Sequence, residues 1–344
     1  MLCALGACRR WLRLWCVYRG TVSTSFDDAV RDWLAERRAV GRTISVSTAT
    51  AYRTDLATWQ RYLEGQIGAG FSVDEVSSTG IKAALAAMND AGLAAASRRR
   101  LVTTLRGLCR HLVQEGLLAA DPTASIQAPR VPTRLPVAFT DGQIATLIET
   151  ARSEDPQGRP AAPQLDVAIV LILAAGGLRA SEAAAIGISD YRRGQEPSLR
   201  VVGKGKKTRI VPLDPGIAEE IDAYLAWRSE QATDEGNSTP LLVRPGGRPL
   251  TRNTISYRVN RLYARAGIPK PDGEAAHALR HTYAISMVDV GVPISEVQQL
   301  LGHENIATTG IYLRASASHL RNAAAAPSAA RLLKSGSSET DSHP

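Results

Sequence analysis

The reading turns on two stretches: His277-Ala278-Leu279-Arg280-His281-Thr282-Tyr283-Ala284, and Leu300-Leu301-Gly302-His303-Glu304-Asn305-Ile306-Ala307-Thr308-Thr309-Gly310-Ile311-Tyr312. His277 and Arg280 stand three apart and so share a helix face. His277 and His281 have the interval of a zinc-binding H-E-x-x-H helix, but the central glutamate is missing, and no metal site is expected. His281 reads as a packing residue. Gly302 ends one helix and places His303 in the following turn. Tyr312 follows two threonines in a short segment; taken alone, such a tyrosine is ordinarily a packed aromatic.

Two further segments belong with these. In Gly177-Leu178-Arg179-Ala180-Ser181-Glu182 an arginine follows two glycines at a helix start. Two β-branched runs, Leu199–Val202 and Thr208–Val211, flank a glycine-containing turn and predict a hairpin. Its turn carries Lys204, Lys206 and Lys207, and Arg209 follows. The run is no phosphate-binding P-loop, since GxxxxGK[ST] is unmatched and no helix follows. A lysine on such a turn can instead reach into a groove and deliver a proton. The set thus offers cationic and hydrogen-bonding groups around one candidate nucleophile, with no acidic cluster to hold Mg²⁺. That suits a phosphodiester whose transition-state charge is neutralised by side chains. A tyrosinate attacking phosphorus would leave a covalent phosphotyrosine, splitting one hard step into two. No cofactor is expected.

Composition agrees with a nucleic-acid partner without proving one. A chain of 344 residues, 44% hydrophobic and 22% charged, suggests about two domains. The longest apolar run, Val167 to Leu178, falls well short of the roughly 20 residues a bilayer-spanning helix needs. The net charge is +8, and only six of the 41 basic residues are lysine. Arginine's planar fork matches phosphate, although a GC-rich genome would produce the same excess. Three of the four cysteines crowd the first 16 residues and form neither a disulfide framework nor a zinc pattern, which fits a reducing cytoplasm, beside the nucleoid.

Along the chain, residues 1–24 read as an extension rich in arginine. A presequence, a floppy segment and a misassigned start are its open readings. Residues 25–118 predict four helices, the second capped by Ser47 or Thr48 and the third over Thr79–Ala91. The fourth starts at Ser97, buries Leu101, Leu105, Leu108 and Leu112, and presents Arg98, Arg99, Arg100, Arg106 and Arg110 as candidates to track a polyanion. Prolines make residues 119–138 an extended basic linker. Residues 139–333 form a mostly helical α+β domain, and 334–344 a disordered tail. The fold class is mainly α with a small antiparallel β hairpin or sheet.

In their order Arg179, Lys204, His277-x-x-Arg280, Leu300-Leu301-Gly302-His303 and Tyr312, these motifs resemble the tyrosine recombinase (phage integrase) family. The resemblance runs over about Ser25 to Leu320. It implies that Tyr312 attacks the scissile phosphate and holds the 3′ end while a 5′-hydroxyl leaves. Lys204 would protonate that oxygen, with Lys206 and Lys207 as alternates. Arg179 and Arg280 would clamp the non-bridging oxygens, His303 would add a hydrogen bond, and His277 would assist proton transfer at the tyrosine. Glu182 would orient Arg179. The helical first domain would be a core-binding domain on duplex DNA, contacted by the arginines of its fourth helix, with Lys206, Lys207, Arg209 and Arg252 as further contacts. A terminal helix near Ser318–Leu333 would dock on a neighbour, giving a homotetramer on two sites, with an accessory recombinase or directionality protein as a further partner. The layout looks Xer-like or like a compact mobile-element integrase. The family's usual Trp-Asp ending after Glu182 is missing, with Asp190-Tyr191 in its place. Relaxation of DNA in the manner of a type IB topoisomerase, and silent DNA binding by the same fold, are the alternatives.

Overall fold

A computed structural model describes residues 24–39, 44–132, 136, 138–153, 162–203, 205, 207–231, 240–269 and 275–316. The expected extension (all but Thr24), the terminal helix, the tail, Lys204 and Lys206 lie outside the described residues. The chain divides into two compact units between Thr133 and Arg134.

The first unit holds helices α1 (Phe26–Ala39), α2 (Val46–Ile67), α3 (Ser78–Asp90) and α4 (Ala95–Gln114). Their apolar positions recur at helical spacing and close on one core of Trp33, Leu56, Trp59, Ile81, Leu105 and Leu108. Full burial of each such side chain stabilises by about 1.5–3 kcal/mol. The Trp59 indole N–H donates to the Leu101 carbonyl at 2.8 Å, so its polar edge is satisfied inside the core. α2 begins two residues earlier than a Ser47 cap would allow, and three earlier than a Thr48 cap. Ser45 takes that place, accepting the Thr48 N–H, and its hydroxyl also meets those of Ser47 and Thr48.

The expected linker is partly core. An Asp121 turn, held by the Thr123 N–H at 2.8 Å on the Asp121 carboxylate, returns the chain so that Ile126 is buried among the α4 leucines. Arg106 fastens it by donating to the Ile126 carbonyl. Prolines forbid a helix there but do not forbid burial of an apolar side chain between them.

The second unit opens with α5 (Asp141–Arg152), where Thr140 and Gln143 form the reciprocal capping box. α6 (Pro163–Ala174) is apolar on all sides and accordingly sits at the centre, against α5, α8 (Pro215–Gln231) and α10 (Ala275–Asp289). After α7 (Ala180–Ala185) comes a three-stranded antiparallel sheet, β1 (Tyr191–Arg192), β2 (Ser198–Val202) and β3 (Thr208–Pro212), in spatial order β1-β2-β3. The predicted hairpin is β2–β3, with Val202 opposite Thr208 and Leu199 opposite Val211. The short β1 adds to it, with Tyr191 opposite Leu199. Asp190 accepts the Gly187 N–H at 2.9 Å and pairs with Arg200, and the Tyr191 hydroxyl donates to the Ala218 carbonyl.

α9 (Arg252–Arg265), α11 (Ile294–Leu301) and α12 (Ile306–Ala315) complete the unit. Tyr283, Ile285, Val288, Val297, Leu301 and Tyr312 form a small separate core that locks α10, α11 and α12 together. Among the described residues no helix is long and apolar enough to cross a membrane.

Candidate active site

Arg179 precedes α7, and its backbone N–H and Nη1 both donate to the Glu182 carboxylate, at 2.9 and 2.7 Å. Arg209, from β3, grips the other side of that carboxylate through Nη1 and Nη2 at 3.2 and 2.8 Å. Arg280, from α10, lies 3.6 Å away. Burial alone would raise the Glu182 carboxyl. The hydrogen bonds from Arg209 and the Arg179 amide, with the charges of Arg209 and Arg280, outweigh that and bring it down to about 2. Glu182 is therefore a fixed anion that orders three guanidiniums.

Those guanidiniums have different freedoms. Arg179 is 37% exposed and lines an open cleft of about 540 Å³ with Ser181, Gly203, His303, Asn305 and Thr308. Arg280 is fully buried, donating to the Gly177 carbonyl at 2.7 Å and to the Leu301 carbonyl at 2.6 Å. Its Nε has no hydrogen-bond partner among the described residues. Burial and the positive charge of Arg179 depress its guanidinium to about 10, still protonated at neutral pH. Arg280 thus ties the Gly177 turn to the end of α11 while keeping donors in reserve. Arg209, expected among the DNA contacts, points inward: Nε donates to the Leu300 carbonyl at 2.7 Å.

Gly177 and Gly302 make these ties possible. Both have left-handed backbone (φ +61° and +64°). A Cβ on Gly177 would lie 2.3 Å from the Tyr283 ring, and one on Gly302 would lie 3.1 Å from Arg209 Nη1. Gly302 turns the chain so that His303 enters the cleft, where its Nδ1 meets the buried Thr309 hydroxyl at 2.9 Å. Burial, then Arg280 and Arg179, push the His303 imidazole down to about 4. It is neutral at physiological pH.

Tyr312 sits on α12, capped by Asn305 through the Ala307 N–H. It is 2% exposed. Burial raises its phenol, opposed by the charges of Arg280 and Arg179, so the hydroxyl keeps its proton at rest while lying in the field of both guanidiniums. The residue meeting that hydroxyl is His281, not the expected His277: His281 Nδ1 lies 2.9 Å from Tyr312 Oη. His277 is exposed, its ring edge-on to that of His281 at 4.3 Å. His281, expected to be a packing residue, thus faces the tyrosine hydroxyl. The available signal was its position four residues after His277, on the same helix face.

The structure therefore brings Arg179, Glu182, Arg280, His303, His281 and Tyr312 together. Of the other DNA-contacting candidates, Lys207, Arg252, Arg99 and Arg110 are exposed. Arg100 is mostly exposed yet paired with buried Asp55 at 2.7 Å. Arg98 and Arg106 are half-buried, donating to the Leu93 and Ile126 carbonyls.

Residues 138–319 match the phage integrase family, and residues 36–116 match the phage integrase N-terminal SAM-like domain. The chain is 30% identical over 278 residues to tyrosine recombinase XerD of Shewanella oneidensis, covering 81% of this chain and 89% of that one. It is 32% identical over 286 residues to tyrosine recombinase XerC of Agrobacterium fabrum, covering 82% and 88%. Among solved structures, XerH recombinase in a post-cleavage complex with a palindromic difH substrate superposes with TM-score 0.67 at 19% identity, covering 92% of this chain and 93% of that one. A lambda integrase tetramer bound to a Holliday junction gives TM-score 0.66 at 18% identity, covering 89% and 81%.

Proposed function

Because the chain belongs to the phage integrase family, as a site-specific tyrosine recombinase of the Xer and lambda integrase type, we propose that Tyr312 is its nucleophile toward a DNA phosphodiester. Attack by Tyr312 Oη forms a 3′-phosphotyrosine and releases a 5′-hydroxyl. Arg179 and Arg280 hold the non-bridging oxygens, His303 donates a further hydrogen bond, and Glu182 orders the arginines. His277 joins the proton traffic at the tyrosine, and Lys204 is the general acid for the leaving oxygen. The observation that carries this reading is that the ring of His303, which lines the cleft with Arg179, stacks on the Tyr312 ring with centroids 6.2 Å apart.

The phosphate charge that develops during attack meets donors already in place, which is where such a site gains its rate. No metal is needed, because the guanidiniums of Arg179 and Arg280 take up the phosphate charge, and no ATP, because the phosphotyrosine bond conserves the energy for rejoining. The first unit and the second bind duplex DNA together, and four copies act on two sites through exchange of the terminal helix. The known structural neighbours in DNA complexes, one of them a tetramer, support that assembly.

The test uses duplexes selected from a random-core library by retention on the wild-type chain. Arg179→Ala is expected to retain these duplexes while strand cleavage falls by the equivalent of roughly 3–4 kcal/mol, as when an oxyanion donor is removed. Cleavage near the wild-type rate would refute the clamp.

A further inference from the structure

We infer that His281 is the immediate proton acceptor of Tyr312, a catalytic role distinct from that given to His277; the inference rests on Tyr312 being the nucleophile. Three observations carry it. The Nδ1 of His281 lies 2.9 Å from the reacting oxygen, within direct transfer distance. The two side chains come from different helices that one small core fixes together, so the contact is set by packing. The ring of His277 meets His281 itself, which places His277 one step behind.

The chemistry follows from the protonation states. Burial, then His277 and Arg280, lower the His281 imidazole to about 4, leaving it neutral with a lone pair to offer. We take the tautomer with the ring proton on Nε2, in which the Tyr312 phenol, raised by burial, keeps its O–H and donates it to Nδ1. On attack, the O–H bond breaks and its proton passes to Nδ1, giving an imidazolium. The Oη–phosphorus bond forms as the bond from phosphorus to the 5′-oxygen breaks, and that oxygen takes a proton from the general acid assigned to Lys204. Rejoining runs the same transfers backwards.

The burial and the neighbouring positive charge that keep His281 neutral also make it a poor base without DNA. A phosphodiester entering the Arg179–His303 cleft brings the negative charge that offsets the positive. Deprotonation of Tyr312 is thereby tied to an occupied cleft, and the resting enzyme does not hold a free tyrosinate.

The test compares full-length wild type, His281→Asn, His281→Ala and Tyr312→Phe on nicked suicide duplexes carrying the selected site. Asparagine places an amide oxygen near the position of Nδ1; it keeps a hydrogen-bond acceptor but cannot take the proton. His281→Asn is expected to bind DNA as wild type does and to cleave about 10²- to 10⁴-fold more slowly. Replacing Tyr312 by 3,5-difluorotyrosine in the Asn variant lowers the phenol pKa and is expected to recover most of that loss, which a merely structural defect would not do. Cleavage by His281→Asn within a few-fold of wild type, or faster, overturns the inference, as does a slow variant that difluorotyrosine fails to rescue. If His281→Ala fails to fold, the Asn variant still decides. An adduct that persists in Tyr312→Phe would instead sink the nucleophile assignment, so the two failures are distinguishable.

Discussion

At the scale of the residue, one carboxylate and two neutral imidazoles set how the site responds to acid. His281 and His303 titrate near about 4 when folded, against about 6.5 for an unperturbed imidazole. Between those values the unfolded chain binds more protons than the folded one, so stability falls as pH drops through that window. Above about pH 6.5 these two groups make no difference. Glu182 extends the loss from about 4.5 down to about 2, where its folded carboxylate finally protonates. The melting temperature of the full chain should therefore decline on acidification below pH 6.5, and less steeply in a His281→Asn, His303→Asn double variant. A melting temperature that climbs from pH 6.5 to 4 would contradict these assignments. The residue types at the site were legible in the order Arg179, His277, Arg280, His303, Tyr312. Which nitrogen meets which oxygen was not: helix periodicity puts His277 and His281 on one face equally, and only the approach of α12 selects His281. Arg209 escaped for the same reason, since a basic residue after a lysine-rich turn looks solvated until the buried Glu182 is seen beside it.

At the scale of the element, the site depends on turns that join helices and not on the helices alone. The Gly177 carbonyl accepts Arg280 Nη1, and its Cα packs on the Tyr283 ring. Gly177→Ala would force left-handed backbone on alanine and push a methyl into that ring. Overpacking of this kind costs about 1–3 kcal/mol, and here it also displaces the tie that holds Arg280. We expect the variant to lose stability in that range by urea titration and to lose cleavage more than DNA retention; unchanged cleavage would show that the turn does not position Arg280. Several elements are readable from periodicity, as with the leucine face of α4 and the β2–β3 hairpin. α12 is not. Ile306, Thr308, Thr309 and Gly310 are poor helix formers, and the Asn305 cap, with burial of Thr309 and Tyr312 beneath α10, forms a helix that propensity disfavours. β1 is too short to leave a sequence pattern; the hydrogen bond of the Tyr191 hydroxyl helps to define it.

At the scale of the whole molecule, the +8 charge is unevenly used. Arginines tied to carbonyls or carboxylates build the fold, whereas Arg99 and Arg110 on α4 are exposed, and we propose that they meet phosphate. Phosphate contacts release counterions, so affinity for duplex should fall steeply and linearly with salt on logarithmic axes. Arg99→Ala with Arg110→Ala should flatten that slope by about 2, roughly one per contact; an unchanged slope would remove these residues from the interface. The prolines between residues 119 and 138 mark the stretch in which the two units divide, but spacing cannot show that Ile126 packs in the first core. On the proposed mechanism, the Tyr312 oxygen becomes esterified to a DNA strand. Wild-type protein incubated with a nicked suicide duplex under EDTA, then digested and examined by mass spectrometry, should yield a nucleotide-bearing peptide modified at Tyr312, and Tyr312→Phe should yield none. No adduct in the wild type, or one attached to another residue, would contradict it.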